Sequence, residues 1–365
     1  MKLKAKLKAC TVIALIINFV LLILSCGEVD IRNPFMAKAV SAGYWNSFAI
    51  STDGYLWAWG EIYGNTPVKI GTETDWEDVI EGGLQYHAMV LKSDDSLWAL
   101  WRTTLIPIEP PNDSPWKIIS ASAAARRHTV AICQDGSLWA WGHNVNGQLG
   151  NGTRANSDIP VSIDPGTRWQ MVSAGDGFTA AIMEDGSLWA WGRNDNGQLG
   201  DSSVTNHLIA IQVGDDFNWK TVSAGGEHTI AIKDDGSLWA WGSNRLGQLG
   251  DGVIPYSYLP VRIEPGTCWQ AVSAGSEHTL AIMEDGSLWA WGGNSSGQLG
   301  NGTTVNSSTK VLIESDTNWQ VVSAGFEHTL AIREDGSLWA WGSNSSGQLG
   351  EGTRKSRNYT VQVFY

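Results

Sequence analysis

The chain alternates short apolar runs with polar, glycine-rich connections, and this unit recurs along almost its whole length. Residues 269–313 show it clearly, with the apolar runs WQAVSAG, TLAI, SLWAW and KVLI separated by SEH, MEDG and a long polar stretch. Runs of four to six β-prone residues bounded by Asp-Gly and Gly-rich connections are typical of short strands joined as hairpins. Each unit therefore predicts four antiparallel strands.

Seven units follow one another when they are counted from the aspartate before the SLWAWG motif. Those aspartates are Asp53, Asp94, Asp135, Asp185, Asp235, Asp285 and Asp335. The first two units are shorter because they lack the stretch NxxGQLGxG. Repetition of four short strands indicates a β-propeller. We predict an all-β fold over residues 37–365, a seven-bladed β-propeller of four-stranded antiparallel blades. If blades and units are out of phase, the N-terminal strand would complete the last blade and protect its edge.

Tryptophan usage indicates how the blades pack. The chain has 21 Trp, of which 13 fill the two Trp positions of the LWAW motif and six open the first run. Leu100 is the one exception in the LWAW motif. Because apolar residues occupy both faces of this run, we expect each blade to be covered on both sides by its neighbours. The repeated Trp residues are therefore predicted to form the core.

The N-terminus has the layout of a secretory signal. Four lysines within residues 1–8 precede an apolar stretch that ends just before Cys26. Such a stretch predicts a cleaved signal peptide over residues 1–25. The cysteine after it resembles a bacterial lipoprotein signal, which predicts lipidation of Cys26 and a tether over residues 26–36. A plain signal peptide or an uncleaved anchor is the alternative. We expect the mature chain in the cell envelope, lipid-anchored, secreted or periplasmic.

Charge and cysteine content exclude some functions. The chain has 24 Lys and Arg against 37 Asp and Glu, and loss of the four lysines in residues 1–25 leaves 20 against 37, a net charge of −17. This balance disfavours a nucleic-acid partner, because phosphates must be met by positive surface. Cys133 and Cys268 occupy different positions of the unit, so we expect no disulfide, and the cysteines lack metal-type spacing.

Much of that acidity lies in the turns between the second and third runs. These turns share one face and carry Asp53, Asp94, Asp95, Asp135, Glu184, Asp185, Asp234, Asp235, Glu284, Asp285, Glu334 and Asp335. Turn chemistry and solubility explain such acids. Cation binding or repulsion from an anionic membrane is the sharper alternative.

The best-preserved part of the unit resembles a known repeat family. The pattern GxxHTxAI followed by DGSLWAWGxNxxGQLGxG, as in Gly325 to Gly352, is similar to the regulator-of-chromosome-condensation repeat. The resemblance covers roughly residues 37–365 and implies a seven-bladed propeller. A secreted bacterial β-lactamase inhibitor of this family binds its partner through one face of the ring. Guanine-nucleotide exchange, as in the eukaryotic namesake, is a remote alternative here, because a secretory signal would separate the chain from any nuclear or cytosolic GTPase.

Unit-specific residues are the candidates for function. In every unit, two connections lie on the same face: the one between the first and second runs, and the one between the third and fourth. We call this the variable face. The candidate partner-binding residues on it are Trp45, Tyr86, Trp101, Arg126, Arg127, Arg154, Arg193, Arg245, Tyr256, Tyr258 and Phe326. Exposed aromatics and arginines are typical of protein-binding hot spots. Local packing that replaces the missing loops is the alternative, most of all for Trp101.

The repeated histidines do not indicate catalysis. His87, His128, His228, His278 and His328 share one repeat position, which predicts a structural hydrogen bond at each. The chain shows no phosphate-cradling loop, zinc-protease helix motif or nucleophile elbow. We expect no enzyme activity, no cofactor and no metal site. The sequence favours a propeller that binds an unknown protein, and a carbohydrate- or cell-wall-binding propeller with exposed Trp and Tyr stacked on sugar rings is the alternative.

Overall fold

The computed structural model describes residues 34–82, 87–122, 126–252, 255–315 and 317–364. The predicted signal peptide, Cys26 and most of the predicted tether lie outside these residues, as does Tyr86. Within the described residues, no helix is long and apolar enough to cross a membrane.

The described residues form 28 strands in seven four-stranded antiparallel sheets, and each sheet contains four consecutive strands. The strands of blade 1 are β1 (Ala37–Ala42), β2 (Asn46–Ser51), β3 (Leu56–Gly60) and β4 (Gly64–Ile70). Those of blade 2 are β5 (Trp76–Glu81), β6 (His87–Lys92), β7 (Leu97–Trp101) and β8 (Thr104–Ile108). Those of blade 3 are β9 (Trp116–Ala121), β10 (His128–Cys133), β11 (Leu138–Gly142) and β12 (Ser157–Ile163).

The remaining four blades repeat this order. The strands of blade 4 are β13 (Trp169–Ala174), β14 (Phe178–Met183), β15 (Leu188–Gly192) and β16 (His207–Gln212). Those of blade 5 are β17 (Trp219–Ala224), β18 (His228–Lys233), β19 (Leu238–Ser243) and β20 (Tyr256–Ile263). Those of blade 6 are β21 (Trp269–Ala274), β22 (His278–Met283), β23 (Leu288–Gly292) and β24 (Ser307–Ile313). Those of blade 7 are β25 (Trp319–Ala324), β26 (His328–Arg333), β27 (Leu338–Gly342) and β28 (Arg357–Gln362). The predicted all-β, seven-bladed fold is confirmed.

Each blade coincides with one sequence unit, so the permuted closure considered from the sequence is wrong. The ring closes through the segment before β1, where Phe35 N donates to the carbonyl oxygen of Val363 at 3.0 Å. Met36 also forms an antiparallel bridge with Ser337 of blade 7. Phe35 is fully buried in the core between blades 7 and 1. The ring edges are therefore joined by a short N-terminal segment rather than by a shared strand.

The core lies between neighbouring blades and is built from the repeated tryptophans. The second Trp of the LWAW motif is fully buried in five blades, and the Trp that opens the first strand is buried wherever it occurs. Edge-to-face contacts join these rings, as between Trp169 and Trp191, whose centroids lie 5.8 Å apart. This geometry adds to the stability gained from the apolar surface that each ring buries. The packing role predicted for the framework Trp residues is thus observed.

The Asp-Gly turns use their acids locally. In blade 4, Asp185 Oδ1 accepts hydrogen bonds from the backbone N–H of Ser187 at 2.9 Å and from its hydroxyl at 2.6 Å. Ser187 Oγ in turn accepts from the indole N–H of Trp189 at 2.9 Å. The Ser187 hydrogen bonds hold the pKa of Asp185 below its usual value. The aspartate of this turn thus holds a hairpin and orients the first Trp of the next strand.

The NxxGQLG stretch forms a loop that reaches into the next blade, and we call it the clasp loop. In blade 3 the backbone carbonyl of Gln148 accepts from Trp191 Nε1 at 2.9 Å and from Thr179 Oγ1 at 2.9 Å, both in blade 4. Leu149 is fully buried with Trp191 in the core between the two blades. Gly150 has φ +77°, and a Cβ there would lie 2.7 Å from Trp191 Nε1. Glycine is required at this position because the indole occupies the space.

The same clasp joins five of the seven interfaces, namely 3/4, 4/5, 5/6, 6/7 and 7/1. The acceptors are the carbonyls of Gln148, Gln198, Gln248, Gln298 and Gln348, and the indole donors are Trp191, Trp241, Trp291, Trp341 and Trp59. Cys133 and Cys268 are both free, as expected.

Candidate functional site

The inner strands of all seven blades line a central cavity of about 280 Å³. Six serines line it, and each hydroxyl oxygen accepts a hydrogen bond from a backbone N–H of the next blade; they are Ser41, Ser120, Ser173, Ser223, Ser273 and Ser323. Ile80 takes the equivalent place in blade 2. The ring of inter-blade bonds is therefore interrupted where blade 2 meets blade 3.

Blade 2 also differs from the other blades at Glu81, the last residue of its first strand. The other six blades have alanine at this position of the first strand. Its carboxylate packs against Gly43, lies 3.4 Å from the backbone N–H of Tyr44, and faces the cavity half-buried. Burial raises the pKa of Glu81 to about 8, although the Tyr44 N–H and the charge of Arg127 act to lower it. The cavity wall thus carries one protonatable carboxyl near its variable-face mouth.

An aromatic cluster lies at the same mouth, where blade 7 meets blade 1. Tyr44 stacks on Phe326 with ring centroids 4.0 Å apart and packs edge-on against Trp45 at 4.4 Å. All three rings are half-buried, and Phe326 N donates to the carbonyl oxygen of Gly43 at 2.9 Å. The structure brings the sequence candidates Trp45 and Phe326 together through Tyr44.

Arg126, Arg127 and Arg193 have different environments. Arg126 donates to Asp176 at 2.7 Å and is half-buried. Arg193 is only 8% exposed, and its guanidinium reaches Asp195 at 2.8 Å, Glu227 at 2.9 Å and Asp176 at 3.5 Å. Arg193 therefore orders the variable face rather than projecting from it. Arg127 is half-buried close enough to Glu81 to affect its charge.

The remaining candidates lie apart from the cavity mouth. Arg245 donates to Tyr256 Oη at 3.1 Å, and Tyr256 stacks parallel to Tyr258 at 6.3 Å. Arg154 is exposed and donates to the Val145 carbonyl at 2.8 Å within its own clasp loop. Trp101, at the end of β7, is 44% exposed. The sequence candidates thus form one cluster at the mouth, a second on blade 5, and two separate positions.

Three glutamates form an acidic arc on blades 5, 6 and 7 beside the mouth. Glu227, Glu277 and Glu327 occupy the same repeat position, directly before the histidine. Burial and the neighbouring charges of Glu327 and Glu227 raise the pKa of Glu277. Trp45 occupies this position in blade 1 and Arg127 in blade 3. The mouth is therefore acidic at blades 5 to 7, aromatic where blade 7 meets blade 1, and basic at blade 3.

The described histidine side chains at the shared repeat position join blades, as the sequence predicted. The Nε2 atoms of His128, His228 and His278 lie 2.7, 2.9 and 3.2 Å from a threonine hydroxyl of the next blade, and His328 lies 2.8 Å from Ser47 Oγ. Each of these hydroxyls donates to a clasp carbonyl, so the imidazole Nε2–H must be the donor. Burial lowers the pKa of His128 and His278 to about 4 and of His228 and His328 to about 3. These imidazoles are neutral at pH 7.

Sequence reasoning missed Tyr44, Glu81 and Asp176. Glu81 has a sequence signal, since it replaces an alanine common to the other six units. Tyr44 and Asp176 have none beyond variability at their loop position, because their roles depend on neighbours from another blade. Within the described residues, His, Cys, Asp and Glu side chains form no group of three or more that could hold a metal ion.

Comparison with known proteins agrees with this geometry. Against solved structures, Prp20p of Saccharomyces cerevisiae matches with a TM-score of 0.70 at 18% identity, over 81% of this chain and 83% of that one. Human WBSCR16 matches with a TM-score of 0.67 at 19% identity, over 93% and 84%. These likenesses show the fold.

Sequence relatives match over shorter stretches. The ultraviolet-B receptor UVR8 of Arabidopsis thaliana is 36% identical over 162 residues, 38% of this chain and 37% of UVR8. The chain spans well under half the length of the curated relatives it matches. The regulator of chromosome condensation (RCC1) repeat matches residues 37–61, and the RCC1-like domain matches residues 102–364. Because the latter match covers more than half of the chain, the protein belongs to the RCC1-like domain family.

Proposed function

We propose that this protein is an interaction propeller of the cell envelope, lipid-anchored through Cys26, which binds a partner protein through its variable face. Membership of the RCC1-like family suggests protein interaction as the general function. The envelope location and the anchor are supported by the basic and apolar segment before Cys26. The partner-binding role is supported by the unequal distribution of side chains around the cavity mouth.

The aromatic cluster of Tyr44, Trp45 and Phe326 is the observation that carries the proposal. These rings lie half-buried at the mouth, beside Glu81 and next to Glu327 of the acidic arc. Aromatic side chains give a binding surface large contact area at low cost in conformational entropy. Adjacent charges of both signs would orient a partner and reject wrong ones.

Substitution at the mouth tests the partner site. Trp45→Ala, Tyr86→Ala and Arg127→Ala, combined in one chain, should abolish cross-linking of the wild-type partner in native envelopes, with the melting temperature largely kept. A matched control replaces acids of the opposite face, Glu284→Gln and Glu334→Gln, and should leave cross-linking unchanged. Equal cross-linking by the wild type and the triple variant would reject the variable face as the site.

Fractionation tests the anchor. Wild-type protein should partition with membranes and incorporate a labelled fatty acid, whereas Cys26→Ser should be released into the soluble envelope fraction without label. Membrane association that persists in Cys26→Ser would contradict lipidation at this residue.

A glycan is the second candidate ligand, favoured by Trp101 in β7 and Tyr258 in β20, each 44% exposed and away from the mouth. Exposed aromatic rings of this kind can stack on sugar faces. Binding of purified cell-wall glycan that is lost in Trp101→Ala and Tyr258→Ala, but kept in the triple variant at the mouth, would favour this function over protein binding.

A further inference from the structure

The two interfaces without clasp loops are not equivalent. Blades 1 and 2 both lack the loop, so interfaces 1/2 and 2/3 receive neither its glutamine carbonyl nor its buried leucine. The two interfaces differ in the next blade, which at clasped interfaces supplies the tryptophan and threonine that bond to the loop. We call it the receiving blade.

Interface 1/2 is compensated on the receiving side. Blade 2 has Leu100 in place of the buried tryptophan and Ala88 in place of the threonine, so neither clasp donor exists there. Tyr63 of blade 1 packs into this core beside Leu105 and Leu100, and its hydroxyl donates to the Arg102 carbonyl at 2.7 Å. Blade 2 therefore presents neither of the two donors that a clasp carbonyl would accept from.

Interface 2/3 keeps both donors although the acceptor is missing. Blade 3 has Trp141 and Thr129 at the two clasp positions. Neither the indole N–H nor the threonine hydroxyl has a hydrogen-bond partner among the residues that the structure describes. Trp141 is 8% exposed, whereas Trp59, Trp191, Trp241, Trp291 and Trp341 are all 0% exposed. The core around Trp141 also contains no counterpart of the loop leucine.

We propose that the place at interface 2/3 that a clasp loop fills at the other interfaces is a peptide-docking site, in which the backbone carbonyl of a partner turn accepts hydrogen bonds from Trp141 and Thr129 and a leucine-sized side chain inserts beside them. This places a defined segment on the same variable face and so rests on the proposed function. The chemistry of the occupant follows from the chain itself, because five interfaces hold such a segment in this position.

The structure also sets what the occupant needs. The carbonyl must accept two hydrogen bonds at once, as Gln148 O does at 2.9 Å from both donors. The next residue must be aliphatic to match Leu149, and the one after it must be glycine because the indole lies against that backbone. A carbonyl, a leucine and a glycine in a tight turn form the recognition unit.

The probe is therefore a capped synthetic peptide of residues 144–156, NVNGQLGNGTRAN, titrated into the full chain by calorimetry. We expect saturable binding at one site. Trp141→Phe keeps an aromatic six-membered ring but removes the indole N–H with the five-membered part of the ring, so it should weaken binding by at least about fivefold, as for loss of one hydrogen bond. A peptide carrying Leu149→Asp should not bind measurably.

A matched control comes from the next interface. Trp191→Phe removes an N–H that already donates to the Gln148 carbonyl of the chain itself, so peptide affinity should equal that of the wild type. Absence of saturable binding, or equal affinity for the wild type and Trp141→Phe, would overturn the proposal. Weakening by Trp191→Phe equal to that by Trp141→Phe would do the same, because it would mean that the peptide competes with existing clasps.

A loop graft gives an independent test of the site. Residues 143–156 placed between Trp101 and Thr104, with Trp101→Gly, should raise the melting temperature and abolish peptide binding. Peptide binding that survives a stabilising graft would overturn the site. If the peptide does not bind while partner cross-linking still depends on Trp45 and Arg127, only this inference is wrong. If the peptide binds but partner cross-linking does not depend on Trp45 and Arg127, only the proposed function is wrong.

Discussion

The clasped interfaces and interface 2/3 contain the same receiving residues in different surroundings. In blade 5, Trp241 is fully buried and donates to Gln198 O at 3.0 Å, while in blade 3 Trp141 has the same sequence position but follows a blade whose sequence lacks the clasp loop. The difference shows that a tryptophan in the LWAW motif becomes a complete core residue only through the blade before it. Loss of a loop therefore affects the neighbouring blade as well as its own.

The largest contrast should come from deleting a clasped indole. Trp241→Ala removes a fully buried ring and its hydrogen bond, and should lower the free energy of unfolding by about 3–5 kcal/mol. Leu100, at the same position of blade 2, shows that an aliphatic residue suffices where no clasp exists. Urea unfolding of Trp241→Ala and Trp241→Leu measures this. A cost below about 1 kcal/mol for the alanine variant would show that the clasp does not hold the ring.

Acid should destabilise the clasped interfaces because their buried histidines are neutral in the folded chain. Burial lowers the pKa of His278 to about 4, against about 6.5 in the unfolded chain. Below pH 6.5 the unfolded chain therefore binds protons that the folded one does not, and stability falls as the pH drops towards 4. His278→Phe, which copies Phe178 of blade 4, should lose about 2 kcal/mol less stability than the wild type between pH 7 and pH 5. Equal losses would mean that His278 is not buried in its neutral form.

Replacement of single indoles by phenylalanine should separate the two kinds of interface. Both Trp191→Phe and Trp141→Phe shrink a buried ring, which lowers stability in each case. Trp191→Phe should cost about 1 kcal/mol more, because it also removes a buried hydrogen bond to Gln148 O, whereas Trp141 makes no such bond. Thermal unfolding of both variants measures the pair, and similar losses would contradict the difference.

A pH effect of the opposite sign concerns Glu81 on the open side of the cavity. Its pKa is raised to about 8 in the fold, above the usual carboxyl value, so the folded chain holds a proton that the unfolded one releases between about pH 4.5 and 8. Stability lost over that window should be recovered by Glu81→Ala, which restores the residue of the other six blades. The variant should gain in melting temperature relative to wild type at pH 8 but not at pH 5. A gain that is the same at both pH values would place the carboxyl in water.

The repeats allowed the fold to be predicted from sequence, because strand number, turn chemistry and Trp spacing agree in every unit. The candidate site was predictable only in part. Trp45 and Phe326 are far apart in the chain and meet because ring closure brings blade 7 against blade 1. Arg193 looks like a binding residue in sequence, yet carboxylates from three connections engage it. Both outcomes depend on contacts between blades, which the pattern within one unit does not contain.

The clasp loop has the strongest sequence signal, but that signal says least about what the loop contacts. Its glycines and leucine indicated a framework, but their target in the next blade could not be read from a single unit. The consequence for Trp141 follows only once Gln148 is seen to act on blade 4 rather than on blade 3.

Hydrogen exchange at the indole N–H groups, followed by NMR with nitrogen-15 tryptophan, tests the central claim most directly. The indoles of Trp59, Trp191, Trp241, Trp291 and Trp341 should exchange slowly, each protected by a glutamine carbonyl of the preceding blade, while that of Trp141 should exchange at least tenfold faster. Addition of the loop peptide should slow Trp141 alone. Equal protection of all six indoles without the peptide would contradict the account.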